Sequence, residues 1–125
     1  MVSANEKAND LLANGVIESR KLKVGNRQAH YLRGGNGPPI ILLHGGADDS
    51  YTWAETIAAL SNSYSLYALD LVGYGLSDKD KGRYYLSEFV DFTFEFIQTL
   101  GLDSMSLVGH SLGGRVCLEI ALRHP

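Results

Sequence analysis

The chain has 125 residues, with 11 basic against 14 acidic side chains, a net charge of −3 and 45% hydrophobic residues. This is ordinary globular composition at the length of one domain, which excludes a disordered, collagen-like or coiled-coil chain. The mild acidity argues against a nucleic-acid binder, whose footprint is a basic face; the densest basic stretch, Arg20, Lys21, Lys23 and Arg27, reads as a solvated strand edge.

Met1 to Gly15 carries Glu6, Lys7, Asn9 and Asp10 and holds no apolar run of signal-peptide length. No stretch approaches the roughly 20 apolar residues of a membrane span. The single cysteine, Cys117, can form no intrachain disulfide. A soluble, cytoplasmic protein is the expectation.

Ser3 and Glu6 fit a capping box, in which each residue satisfies a backbone N–H of the other, so a short helix is expected to run to about Asn14, with Gly15 past its end. Residues 16–24 and 28–33 read as two strands joined at Gly25, Asn26 and Arg27, an antiparallel hairpin. Gly34 to Pro39 reads as a loop, because Gly and Pro interrupt regular structure. Ile40 to Leu43 is apolar without alternation, which suits a strand buried on both faces. Thr52 and Glu55 repeat the capping-box spacing, and Trp53, Ile57 and Leu60 follow at helical spacing, predicting a helix over 53–60. Leu66 to Leu69 is another buried strand, ending at Asp70.

Ser87 is positioned to cap a helix over 88–100. Glu88, Asp91, Glu95 and Gln98 form its polar stripe, Val90, Phe94 and Ile97 lie opposite, and Gly101 stops it. Phe89, Phe92 and Phe96 read as helix core. Met105 to Val108 predicts a further strand, and helix 111–123 follows, with Val116, Cys117, Ile120 and Ala121 as its packing stripe and Arg115, Glu119 and Arg123 on the wet side. Strands alternating with helices predict an α/β fold with a mostly parallel sheet. There is no internal repeat, low-complexity tract or interdomain linker.

Gly109-His110-Ser111-Leu112-Gly113 fits G-x-S-x-G. Five residues with three fixed occur by chance, but this pattern falls between a strand and a helix, the setting in which a nucleophilic serine sits on a strained turn. Gly109 and Gly113 are needed where the two backbones approach too closely for a Cβ. The bland alternative makes Ser111 an N-cap and the glycines a turn. His44-Gly45-Gly46 follows the strand 40–43, and a Gly-rich loop there frees N–H groups to face a ligand. An anionic tetrahedral intermediate on Ser111 needs about two such donors. Leu112 N–H is the first, and Gly46 N–H is preferred for the second, with Ala47 as its rival.

His44-Gly45-Gly46 with Ser50 and Trp53, Asp70-Leu71-Val72-Gly73-Tyr74-Gly75-Leu76-Ser77-Asp78, and Gly109 to Gly114 occur in an order and spacing that resemble the N-terminal half of a serine hydrolase of the α/β-hydrolase superfamily. The likeness covers residues 16–125. It implies the α/β-hydrolase fold in its N-terminal portion: an antiparallel hairpin, then parallel strands with helices on both faces. The expected organisation is one incomplete domain over 1–125, with a helical extension at 1–15 and a partial hydrolase core at 16–125. The resemblance implies Ser111 as nucleophile, Gly46 and Leu112 as oxyanion donors, and a structural loop at Asp70–Asp78. A Ser nucleophile also sets the chain apart from the branches that use Asp, the haloalkane dehalogenases and epoxide hydrolases.

His44 and His110 flank the site, but in the resembled family both are hydrogen-bonded scaffold. His30 and His124 are expected to be exposed, Asp48 and Asp49 to cap or be solvated, and Cys117 to be a small core residue. No metal-ligand spacing or phosphate loop is present, so no cofactor or metal is expected. The family order of the triad is Ser, then acid, then His. Fourteen residues follow Ser111, and one helix uses nearly all of them. The later candidates are Glu119, on that helix, and His124, so the chain reads as a truncated piece without its acid and general base. The expected function is hydrolysis of a small-molecule carboxylic ester or related acyl substrate, with no nucleic-acid or membrane partner. A non-catalytic binding protein of this fold, and a carbon–carbon-bond hydrolase or perhydrolase, are the alternatives.

Overall fold

The apolar run at residues 40–43 lies inside a five-stranded mixed sheet. A computed structural model describes residues 4–80 and 84–124. In chain order the elements are α1 (Ala4–Ala13), β1 (Glu18–Val24), β2 (Arg27–Gly35), β3 (Pro39–Leu43), a 3₁₀ turn (Ser50–Trp53), α2 (Ala54–Leu60), β4 (Ser65–Leu69), α3 (Leu86–Leu100), β5 (Ser106–Gly109) and α4 (Leu112–Arg123). The strands are ordered β1-β2-β4-β3-β5. β1 pairs antiparallel with β2 and β2 antiparallel with β4, whereas β3 runs parallel to both β4 and β5. This is the α/β-hydrolase fold, N-terminal portion, that the sequence motifs imply. No helix among the described residues is long and apolar enough to cross a membrane.

β3 shows why its sequence does not alternate. Ile41 and Leu43 join a cluster with Phe89, Phe96, Val116 and Ile120 of α3 and α4, while Leu42 packs with Ala8, Ala54 and Ile57 of α1 and α2. Both sides of the strand are covered by helices, so both need apolar side chains. Each such fully buried side chain contributes roughly 1.5–3 kcal/mol.

Several local readings are corrected. The hairpin turn has two residues, because Val24 pairs with Arg27 and places Arg27 in β2. β2 runs on to Gly35, through part of the expected loop, by pairing with β4. Thr52 does not cap; the Asp49 carboxylate accepts from Tyr51 N–H and starts the 3₁₀ turn at Ser50, four residues before α2. Ser87 does not cap α3, which begins one residue earlier, with Glu88 accepting from Tyr85 N–H. Gly101 ends α3 in the left-handed region as expected. On α4, Val116 and Ile120 are buried, but Ala121 is exposed. Ser3 lies outside the described residues.

The largest correction is His30. It is fully buried, because β2 sits between β1 and β4. Its Nδ1 lies 2.7 Å from Asp70 Oδ2. Asp70 is itself 1% exposed. It also accepts from Ser50 N–H at 2.6 Å and Leu76 N–H at 2.9 Å. Its own carbonyl accepts from Ser77 Oγ, which in turn accepts from His30 N–H. Burial alone raises the Asp70 pKa, but the hydrogen bonds from His30, Leu76 and Ser50 outweigh it and hold the carboxyl below its usual value. A Cβ on Gly75 would fall 2.3 Å from the Asp70 carboxyl carbon, so residues 70–78 close over this group without room for a side chain at 75.

Asp70→Asn is predicted to cost at least about 1–3 kcal/mol at pH 7, because the amide nitrogen replaces an accepting oxygen and leaves a buried donor unsatisfied. The Asp70 pKa is depressed on folding, so its contribution is present at neutral pH and is lost as pH falls from about 4 through the lower folded value. Urea unfolding at pH 7, 4 and 3 should show the gap between wild type and variant narrowing in acid. A gap that is constant with pH would contradict this account.

Candidate active site

Leu43 and Gly109 are register partners at the ends of β3 and β5, so the loops that leave these two parallel strands emerge side by side. His110 N–H donates to Leu43 O at 3.1 Å and ties the second turn to the end of β3. The first helical turn then presses on the same place. A Cβ on Gly113 would lie 2.3 Å from Leu43 O and 2.7 Å from His44 O. A Cβ on Gly109 would lie 2.4 Å from the carbonyl carbon of Gly113. Both contacts are with backbone, which cannot swing aside, so the two fixed glycines of the motif are steric requirements here.

Ser111 sits at the apex, exposed, with φ 55° and ψ −114°. Serine rarely adopts this region, and the conformation persists only where its surroundings impose it. Gly113 N–H bonds to His110 O, and Arg115 N–H bonds to Ser111 O. Leu112 N–H meets no acceptor among the described residues, in keeping with the orphan donors of a helix start. Across from it, Gly46 and Ala47 are exposed, and their N–H groups likewise meet no acceptor among the described residues. Ala47 has φ 60°, so a strained non-glycine residue stands on each of the two facing loops. The sequence gives no sign of the strain at Ala47.

His44 is buried with both ring nitrogens committed. Leu71 N–H can only donate, so Nε2 accepts from it at 3.0 Å. Nδ1 therefore carries the proton and donates to Gly45 O at 2.7 Å. Tyr74 stands edge-on to the ring at 5.2 Å. These bonds fix the ring in place and leave no lone pair for Ser111. His110 differs from expectation: it is exposed, and its ring makes no hydrogen bond among the described residues. It lies against Gly45, where a Cβ would be 2.9 Å from His110 Nδ1, and lines a cleft of about 270 Å³ with Asp48, Thr52, Trp53 and Thr56. Asp49 caps as described, and Asp48 stands at the cleft. His124 is exposed and stacks on Phe94. Burial pushes the Cys117 thiol up to about 11, which keeps it protonated and inert.

The pattern of the alpha/beta hydrolase fold family matches residues 38–125, and the chain belongs to that family. It is 36% identical over 114 residues to the fluoroacetate dehalogenase of a Burkholderia species, a match that covers 87% of this chain and 38% of that protein. It is 35% identical over 100 residues to the (E)-2-((N-methylformamido)methylene)succinate hydrolase of Acinetobacter baylyi, covering 80% and 38%. The crystal structure of an epoxide hydrolase from Vigna radiata superposes with a TM-score of 0.84 at 32% identity, over 89% of this chain and 36% of that one. The chain thus spans little more than a third of the length of these relatives.

Gly113→Ala is predicted to destabilise by at least about 1–3 kcal/mol, the range for overpacking against atoms that cannot move. Gly114→Ala is the control: its Cβ would make ordinary contact with Gly109 O at 3.4 Å. That change should be neutral or stabilising by up to about 1 kcal/mol, the helix propensity gained. Denaturant midpoints of the two variants check both statements.

Proposed function

We propose that the protein is a serine hydrolase acting on small carboxylic esters through an acyl-enzyme on Ser111. The observation that carries this reading is the strained, exposed Ser111 beside unpartnered N–H groups on two adjacent loops. In the proposed reaction the Ser111 hydroxyl attacks the ester carbonyl, and the developing oxyanion is held by Leu112 N–H and Gly46 N–H. A base and an acid orienting it, from a polypeptide of the relatives' length, take up and return the proton.

The hydroxyl at position 111 also selects the reaction. A serine that displaced a halide or opened an epoxide would be left as an ether, which water does not cleave at neutral pH. A serine acylated at a carbonyl is left as an ester, which water does cleave. Similarity to a dehalogenase and an epoxide hydrolase therefore supports the frame, while Ser111 supports acyl transfer within it. The reading includes a cytoplasmic location and requires no cofactor, nucleic acid or membrane.

The second reading is a non-catalytic binding protein of this fold, in which the rare backbone conformation of Ser111 serves only to join β5 to α4. Labelling by a fluorophosphonate, mapped to Ser111 in the full-length protein, separates the two. Ser111→Ala should lower kcat for p-nitrophenyl esters by roughly 10⁴–10⁶, as triad knockouts do. Gly46→Pro deletes one N–H and should lower kcat by about 10²–10³. Turnover that survives Ser111→Ala at near wild-type rate would overturn the assignment; a drop with Gly46→Pro no larger than a few-fold would move the second donor to Ala47.

A further inference from the structure

The hydrogen bonds around His30 continue past Asp70 to the surface. On the far side of the ring, Nε2 lies 2.6 Å from Ser19 Oγ. Ser19 is exposed on β1, which among the described residues pairs only with β2, at the edge of the sheet. The order is therefore serine hydroxyl, imidazole Nε2, imidazole Nδ1, carboxylate, which is the connectivity of an activated serine. The orienting part is firmly built: His30 and Asp70 are both buried, and the Asp70 oxygens also accept from Ser50 and Leu76 N–H. The carboxylate can only accept, so His30 Nδ1 donates to it. In the neutral ring this leaves Nε2 as the acceptor for the Ser19 hydroxyl proton. Lys21 stands directly across from His30 in the strand register and shares a face with Ser19, two residues away. On that face of β1 its ammonium is the cation nearest in register to an oxyanion formed there, Arg20 lying on the opposite face.

We propose that Ser19, His30 and Asp70 form a second acylation site, at which the Ser19 hydroxyl takes an acyl group from small activated esters. In the step, Ser19 Oγ forms a bond to the ester carbonyl carbon while its proton passes to His30 Nε2. The bond from that carbon to the leaving oxygen breaks, p-nitrophenolate departs, and the proton on His30 is released to solvent. The product is Ser19 carrying an acyl ester. The site is open, so it takes small reactive esters without selecting among their side chains. None of this depends on the role of Ser111.

The test uses the chain with Ser111→Ala, which removes the other nucleophile, and p-nitrophenyl acetate as the probe. Release of p-nitrophenolate is followed together with intact mass and peptide mapping. One acetyl group is expected on the peptide containing Ser19, formed about 10²-fold faster than any acetylation of the Ser19→Ala, Ser111→Ala double variant, the low end of what a positioned base supplies. Ser19→Cys in the same background should restore labelling at position 19. Both changes are at exposed positions and leave the His30–Asp70 pair in place. Equal release rates from the single and double variants, or acetyl groups confined to lysines and the chain terminus, would overturn the proposal.

Discussion

The arrangement turns on one buried anion. Taking a carboxylate out of water costs several kcal/mol unless its oxygens are satisfied. Asp70 meets that demand with donors from three separate parts of the chain: a β2 side chain, the backbone at the 3₁₀ turn, and the backbone of its own loop. Satisfying the charge therefore fixes where those parts lie. The segment between β3 and the 3₁₀ turn is held at one end by His44, locked to Leu71 and Gly45, and at the other by Ser50, locked to Asp70. Gly46, Ala47 and Asp48 are the exposed residues between the two anchors.

A second constraint is purely steric. The end of β3 and the first turn of α4 share a space that admits no Cβ at Gly109 or Gly113. The chain must reverse within the two residues between Gly109 and Leu112 to enter the helix, and the rare φ/ψ of Ser111 is the geometric cost of doing so. Electrostatics position one loop and excluded volume positions the other. They meet because β3 and β5 are adjacent and in register.

Features carried by short-range pattern were legible. The unbroken apolar run of β3, the Gly after α3 and the G-x-S-x-G turn each state their physics within a few residues. What failed was set by distance along the chain. β1 reads Glu-Ser-Arg-Lys-Leu-Lys and is polar, so its hairpin partner looked solvated; nothing within the hairpin announces that β4 will lie against β2 and bury His30. The D-x-x-G-x-G-x-S pattern marked Asp70 as structural, but its partner forty residues upstream was not legible. Caps failed for a smaller reason: Asp49 and Thr52 both have capping side chains, and tertiary contacts at Ser50 chose the earlier start. The fit of Ala47 to a left-handed conformation has no local signature at all.

The hydrogen-bonding frame also has an order in time. Among the described residues, every donor to the Asp70 carboxylate lies between residues 30 and 76, and β1 to β4 occupy four consecutive places in the sheet. A ribosome making this chain from its N-terminus therefore completes the whole set of Asp70 partners before it translates the first residue of β5. The Ser111 turn is then added laterally, against a β3 edge whose β4 partner and neighbouring loop have already been synthesised. Synthesis delivers the frame around Asp70 first and the Ser111 turn after it.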